Sequence, residues 1–96
     1  MTRKSFVLIA EVAAADVVAF DAYEREVLPL LARHAGLLER RLRHVREDGG
    51  WLEIHVLSFP DADALGAYRA DPDRQRAQEL VAGLKLKTTL LELSDV

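Results

Sequence analysis

The sequence contains no cysteine, which excludes disulfide bonds and zinc sites built on thiolates. No apolar run approaches the roughly 18 residues that a membrane-spanning helix needs. No block of like charge is present either, because 13 basic and 16 acidic residues are spread along the chain with a net charge of −3. Proteins that bind nucleic acid through charge usually carry a basic excess on one face. We therefore expect neither a nucleic-acid nor a membrane partner, and the expected location is cytoplasmic.

The length and composition suit one small domain over residues 1–96, with 50% hydrophobic residues. A chain of this length buries only about 60–65% of the surface that its unfolded form exposes. Disulfides, metals or self-association commonly compensate for so small a core. Since disulfides are excluded, self-association is favoured, and we expect a homodimer.

The hydrophobic periodicity predicts four strands and two helical regions. The strands are expected at 6–12, 38–46, 51–57 and 86–93, and the helical regions at 17–35 and 61–82. Asp48-Gly49-Gly50 predicts a hairpin turn, Pro29 a break in the first helical region, and Asp71-Pro72 a division of the second. Gly36 is the expected C-terminal cap. The order β-α-β-β-α-β predicts an α+β, ferredoxin-like fold with a four-stranded antiparallel sheet in the order 4-1-3-2 and the helices on one face.

The third strand separates two faces by strict alternation. Leu52, Ile54 and Val56 point one way, and Glu53 and His55 point the other. We expect the aliphatic set to pack on the helices, so that the polar pair faces the side that a dimer would enclose. Histidine titrates near neutral pH and a carboxylate can orient it, which makes Glu53 and His55 candidate catalytic residues acting as a general base. The alternative is an interface pair that forms salt bridges with a partner.

The second strand carries the candidate substrate-binding residues Arg41 and Arg43. They share a face with the polar pair if Leu38 and Leu42 pack on the helices. There they would bind a carboxylate or enolate. The alternative is protection of an edge strand by charge.

Tyr23 and Trp51 are the other two candidate substrate-binding residues. Tyr23 would offer its hydroxyl to a cleft or lie at the edge of the core, and Trp51 would line an apolar pocket or belong to the core or interface. His34 is expected to cap a helix end. The three histidines lack a short ligand spacing, and no glycine-rich phosphate loop is present. We therefore expect no metal site and no cofactor, with a haem held by one axial histidine left open.

Several segments together resemble a known family. They are Val7–Val12, Asp16, Phe20, Tyr23, Pro29, His34-Ala35-Gly36, Leu57–Asp61 and Ala67–Pro72. In this order they resemble the dimeric α/β-barrel superfamily of antibiotic-biosynthesis monooxygenase-like proteins, and most of all a small uncharacterised branch of domains of unknown function. The resemblance spans nearly the whole chain, although Ala35 stands where the family often has the first of two glycines. It implies a homodimer whose two sheets pack face to face, with a cleft between sheet and first helix or in the barrel interior.

The resemblance does not fix an activity. The superfamily includes cofactor-free oxygenases, lactone isomerases, haem-degrading enzymes and proteins with no known activity. One hypothesis is a cofactor-independent monooxygenase, isomerase or cyclase that acts on a small organic molecule. The other is a non-catalytic, dimeric binding or stress-associated module. The residues alone do not decide whether the chain is an enzyme.

Overall fold

A computed structural model describes residues 2–96 as a four-stranded sheet with its helices on one side. The strands are β1 (Lys4–Val12), β2 (Leu37–Val45), β3 (Trp51–Phe59) and β4 (Lys87–Leu93). The α-helices are α1 (Val17–Val27), α2 (Ala62–Arg69) and α3 (Pro72–Ala77), with 3-10 segments at Ala14–Asp16, Leu28–His34 and Gln78–Val81. The sheet order is β2-β3-β1-β4, and every neighbouring pair is antiparallel. The predicted α+β, ferredoxin-like fold and its strand order are confirmed.

The helical layer is divided where the sequence predicts. α1 ends at Val27 and a 3-10 segment containing Pro29 follows, because proline has no N–H to continue the helical ladder. Asp71 caps α3 by accepting a hydrogen bond from the N–H of Asp73 at 2.9 Å, with Pro72 at the first helical position. No helix within residues 2–96 is long and apolar enough to cross a membrane.

The turn into β2 differs from the expectation. Ala35, and not Gly36, takes the left-handed conformation, with φ 55°. Gly36 is required for a different reason: a Cβ atom there would lie 2.6 Å from a ring carbon of Phe59. The Gly36 N–H donates to the carbonyl of Leu31 at 2.9 Å. The glycine thus allows the chain to pass close to the core.

The two faces of the sheet are the reverse of those predicted. The side of β3 that lies under the helices (the covered face) carries Trp51, Glu53, His55, Leu57 and Phe59, the last four of them buried. The other side (the open face) carries Leu52, Ile54 and Val56, which are only partly buried. The prediction that these aliphatic residues pack on the helices is therefore wrong. Glu53 and His55 lie beneath the helices because Leu57 and Phe59, on the same face, join the larger apolar cluster of the core.

An irregularity in β2 decides which residues join the polar pair. The register with β3 shifts between Leu38 and Arg40, so Leu38 faces the helices while Leu42 lies opposite Ile54 on the open face. Arg41 lies opposite His55, and Arg43 lies opposite Glu53. The predicted grouping of these four residues on one face is therefore confirmed. The condition that Leu38 and Leu42 share a face is wrong.

Candidate functional site

A cavity of about 390 Å³ lies between the covered face and the helices. Most of its lining is aliphatic or aromatic, from β1, β3, β4 and the helical layer. The polar groups in the lining are Tyr23, Glu24, His55, Tyr68, Arg69, Arg74, Gln78 and Thr88. A concave, mainly apolar space of this size with a few converging polar groups is typical of small-molecule sites.

The sheet contributes two polar residues to this cavity, His55 from β3 and Thr88 from β4. The side chain of His55 is almost fully buried, and its Nε2 lies 2.5 Å from Oε2 of Glu53. Glu53 is held in turn by Arg43, whose Nε donates to Oε1 at 2.7 Å, and by Arg41, whose Nε donates to Oε2 at 3.1 Å. Three neighbouring side chains thus fix one buried carboxylate.

The ionisation of Glu53 determines which nitrogen of His55 is available. Burial alone raises the pKa of Glu53, but hydrogen bonds from His55 and Arg43 and the charge of Arg41 outweigh it and lower the pKa to about 2. A carboxylate only accepts hydrogen bonds, so Nε2 of His55 carries the hydrogen of this contact. Nδ1 is then the nitrogen that holds a lone pair in the neutral ring, and it can accept a proton.

Glu24 lies on the other side of His55 and was not anticipated from the sequence. Its side chain is 3% exposed, it lines the cavity from α1, and its Oε2 lies 3.9 Å from Nδ1 of His55. Within residues 2–96 its carboxylate accepts no hydrogen bond. Burial raises the pKa of Glu24, and a positive charge on His55, present when its ring is protonated, acts in the opposite direction. Glu24 therefore favours the protonated form more than an ordinary glutamate does.

The helical spacing of α1 contains a signal for the burial of Glu24. Phe20, Tyr23, Glu24 and Val27 are all buried and follow the spacing i, i+3, i+4, i+7 of one helix face. A carboxylate on an apolar stripe is costly to bury and marks a position with a polar neighbour.

The three buried groups Glu24, Glu53 and His55 bring one possible ligand atom each within 4.8 Å of one another. Glu53 does not fit a metal site, because both its oxygens already accept hydrogen bonds from arginine or histidine. The two remaining donors, Nδ1 of His55 and the Glu24 carboxylate, are fewer than the three or four protein ligands usual in a zinc site. Their arrangement suits proton transfer better than cation binding.

The predicted substrate-binding residues take two different positions. Tyr23 lines the cavity, and its hydroxyl accepts a hydrogen bond from Nε2 of Gln78 at 3.0 Å. Arg41, Arg43 and Trp51 lie outside the lining. The guanidinium carbon of Arg43 is 3.5 Å from the centre of the Trp51 ring. The contact of these three residues with a substrate stays a prediction, and their observed contacts hold Glu53 in place.

His34 belongs to a separate pair. Its Nε2 lies 2.8 Å from Oδ2 of Asp71, the residue that caps α3. The hydrogen bond from His34 and the backbone N–H of Asp73 lower the pKa of Asp71. His34 therefore joins the end of one helical segment to the start of another, and it is not part of the cavity lining.

The comparisons with known proteins identify the fold. No family model matches the chain, and no curated protein matches it in sequence. Among solved structures, SnoaB of Streptomyces nogalater, described as a cofactor-independent oxygenase, aligns with a TM-score of 0.67 and 20% identity over 100% of this chain and 97% of its own. A Caulobacter crescentus protein provisionally named an antibiotic biosynthesis monooxygenase aligns with a TM-score of 0.66 and 13% identity over 97% and 92%.

A third solved structure has the same fold. It is a dimeric protein of unknown function with a ferredoxin-like fold from Bacteroides fragilis, with a TM-score of 0.59 and 12% identity over 93% of this chain and 96% of its own. At these identities the likeness establishes the fold alone. The resemblance to the antibiotic-biosynthesis monooxygenase-like superfamily is thus confirmed as a shared ferredoxin-like fold.

Proposed function

We propose that the chain is a cofactor-independent enzyme that removes a proton from a small organic molecule bound in the cavity. The observation that carries the proposal is the buried His55, whose Nε2 is engaged by the ionised Glu53 while Nδ1 remains available as a base. The reaction begins with this proton transfer and continues as an oxygenation, an isomerisation or a cyclisation. The fold shared with a cofactor-independent oxygenase supports the first of these outcomes.

The roles of the residues follow from their contacts. Nδ1 of His55 takes a proton from an acidic C–H or O–H bond of the substrate. The electron pair of the broken bond stays on the substrate, which becomes an enolate or a phenolate. Glu53 is a positioning residue, because it orients the ring and stabilises the imidazolium without lining the cavity. In an isomerisation the same proton returns to another carbon of the enolate, so no further reactant is needed.

Oxygenation requires dioxygen as the second substrate. A phenol that is converted to a quinone loses its hydroxyl hydrogen and one ring hydrogen. It gains one oxygen atom, and the second oxygen atom leaves with the two hydrogens as water. The phenolate formed at His55 is the electron donor, and dioxygen is the oxidant that is reduced.

Self-association is the second part of the proposal. The open face places Ile54 between Leu42 of β2 and Ile9 of β1, and Leu91 of β4 is 50% exposed on the same side. An aliphatic patch on a sheet face is typical of a protein interface. We infer that two copies of the chain pair through their open faces, as the likeness to a dimeric protein of this fold suggests. The cavity then lies on the outer side of each sheet.

The test of catalysis replaces His55 with alanine. His44, which is exposed on β2 and lies opposite the open-face residue Leu52, provides the matched control His44→Ala. Phenols and 1,3-dicarbonyl compounds are supplied as substrates, and two quantities are measured: product formation and uptake of deuterium from D₂O into the carbon acid. We expect His55→Ala to lower both rates by about 10²–10⁴-fold and His44→Ala to leave them unchanged. A folded His55→Ala protein with wild-type rates would contradict the proposal.

A non-catalytic binding or stress-associated module is the second candidate. It is favoured by the low accessibility of His55, whose side chain is only 3% exposed, and by the mainly apolar lining of the cavity. This function predicts that small aromatic molecules bind and are recovered unchanged, with no deuterium uptake by the carbon acid beyond its spontaneous exchange in buffer. Deuterium uptake that depends on His55 would exclude it.

A further inference from the structure

Arg69 and Arg74 of the cavity lining both lack an ion-pair partner among the described residues, and of the two only Arg74 has a buried guanidinium N–H without a hydrogen-bond partner. Arg41, Arg43 and Arg76 each lie within 3.1 Å of a carboxylate oxygen. Arg74 forms no ion pair within residues 2–96, and its Nε is buried without a hydrogen-bond partner. Its Nη1 donates a long hydrogen bond of 3.4 Å to the carbonyl of Arg69. A buried guanidinium N–H that donates to nothing is unfavourable, and an incoming acceptor would remove that cost.

The side chain lies where its charge acts on the cavity. Arg74 is part of the lining, and its guanidinium carbon is 5.0 Å from the centre of the Tyr68 ring. Its positive charge acts to lower the pKa values of Tyr68, Tyr23 and Glu24, although burial raises all three. The field of Arg74 therefore reaches both tyrosines and the glutamate beside His55.

We propose that the cavity takes a small aromatic or aliphatic molecule that carries one acidic group, a carboxylate or an ionised phenol or enol, and that Arg74 binds this group. The planar guanidinium offers several donors in a geometry that matches a carboxylate. The apolar part of the ligand packs against the aliphatic lining, from which Leu28, Leu65 and Val81 project. The inference rests on the proposed function only in sharing its cavity, since binding of an anion does not require turnover.

The charge balance of the cavity supports an anionic ligand. Arg69 and Arg74 are the cationic residues of the lining, and Glu24 is its one carboxylate within the described part of the chain. Two guanidinium groups against one carboxylate leave an excess of positive charge in the lining, and burial, which raises the pKa of Glu24, acts in the same direction. An anionic group restores neutrality in a space where an uncompensated charge is costly.

The test compares two probes of the same shape and different charge, naphthoate and its neutral amide, naphthamide. Each is titrated into the wild-type protein while the backbone amide resonances of Leu57 and Tyr68, which report on the cavity, are followed by NMR. We expect naphthoate to bind at least about tenfold more tightly than naphthamide. In Arg74→Gln we expect naphthoate to lose this advantage and naphthamide to bind as before.

The matched control is Arg76→Gln, two residues further along α3, where the arginine is exposed and paired with Asp73 at 2.8 Å. It should keep the full preference for naphthoate. Equal affinities of the two probes for the wild-type protein, a preference that survives Arg74→Gln, or no shift of the cavity resonances at millimolar probe would each overturn the inference.

His55→Ala is titrated as well. A preference for naphthoate that persists in His55→Ala, with no turnover by the wild-type protein, would contradict the proposed enzyme and leave the anion site intact. Turnover by the wild-type protein without the preference for naphthoate would do the reverse.

Discussion

Glu53 and Ile54 are adjacent in β3, yet their side chains lie on opposite faces of the sheet in different environments. Glu53 is 1% exposed beneath the helices and is held by two arginines and a histidine. Ile54 points to the open face, where Leu42 and Ile9 flank it. The face that the helices bury carries a charged network, while the face without a cover carries aliphatic side chains. The helices of this chain thus cover the face that carries the buried charged network, and the aliphatic face has no helix over it among the described residues.

The largest effect is expected from breaking the network on the covered face. In Glu53→Gln the partners Arg41, Arg43 and His55 lose the carboxylate that compensates them. Removing one member of a buried ion pair typically costs about 3 kcal/mol or more. We expect the free energy of unfolding, measured by urea denaturation, to fall by about 3 kcal/mol.

Glu92→Gln is the control for this measurement. Glu92 lies in β4 and forms an ion pair with Lys4 at 3.6 Å, with both side chains about half exposed. Its loss should cost less than about 0.5 kcal/mol, since exposed pairs contribute little. Equal effects of the two substitutions would mean that the buried network does not stabilise the fold.

A charge on the open face tests the other half of the comparison. We expect the wild-type protein to sediment as a dimer and Ile54→Lys to shift it to a folded monomer, because the interface would have to bury an unpaired ammonium group. A loss of about 100-fold in dimer affinity corresponds to roughly 2.7 kcal/mol. Analytical ultracentrifugation measures the oligomeric state, and circular dichroism confirms that the fold is kept.

The control for the interface is Val18→Lys on α1, where the native side chain is 80% exposed on the helical side. This variant should remain dimeric. A wild-type monomer at micromolar concentration would contradict the proposed assembly, and so would a dimer unaffected by Ile54→Lys.

The last expected effect is a dependence of stability on pH, which for Glu53 is confined to acid conditions. The pKa of Glu53 is about 2 in the folded protein and 4.5 ordinarily, so its ionised form contributes stability that is complete above pH 4.5 and is lost as the pH falls toward 2. The contribution of Glu24 to stability depends on pH in the opposite direction. Its pKa is raised by burial, so its contribution is complete below pH 4.5 and declines as the pH rises through the folded value.

Urea denaturation at several pH values separates the two contributions. The difference in unfolding free energy between the wild type and Glu53→Gln should shrink steadily below pH 4.5. The difference between the wild type and Glu24→Gln should show no such loss in acid. A wild-type stability that is constant between pH 4.5 and the onset of acid unfolding would be inconsistent with an ionised Glu53.

The fold could be predicted from the sequence because each of its signals is local. Strand alternation, the turn at Asp48-Gly49-Gly50, and the proline and aspartate positions each act over a few residues. The choice of face is not local. Alternation in β3 separates Ile54 from Glu53, but both faces carry apolar residues. Which face the helices cover depends on Leu57 and Phe59, whose packing against Phe6, Leu31 and Tyr68 brings distant parts of the chain together.

The candidate site was predicted in part for the same reason. Glu53, His55, Arg41 and Arg43 could be grouped because β2 and β3 form a hairpin whose register is short-range. Glu24 and Arg74 come from α1 and α3, and their place in the cavity depends on how the helices dock. For Glu24 the helical spacing held a usable signal, whereas Arg74 is one of several arginines in a polar segment, and nothing in the sequence separates it from Arg76.

The left-handed Ala35 also bears on how this chain can change in evolution. A Cβ atom makes this conformation unfavourable by about 1 kcal/mol, and glycine removes that penalty. The protein therefore tolerates a correctable strain at the turn into β2, close to the core but apart from the cavity lining. Exchange of Ala35 for glycine would raise the free energy of unfolding. This gain could offset the cost of a destabilising substitution that reshapes the cavity for a new ligand.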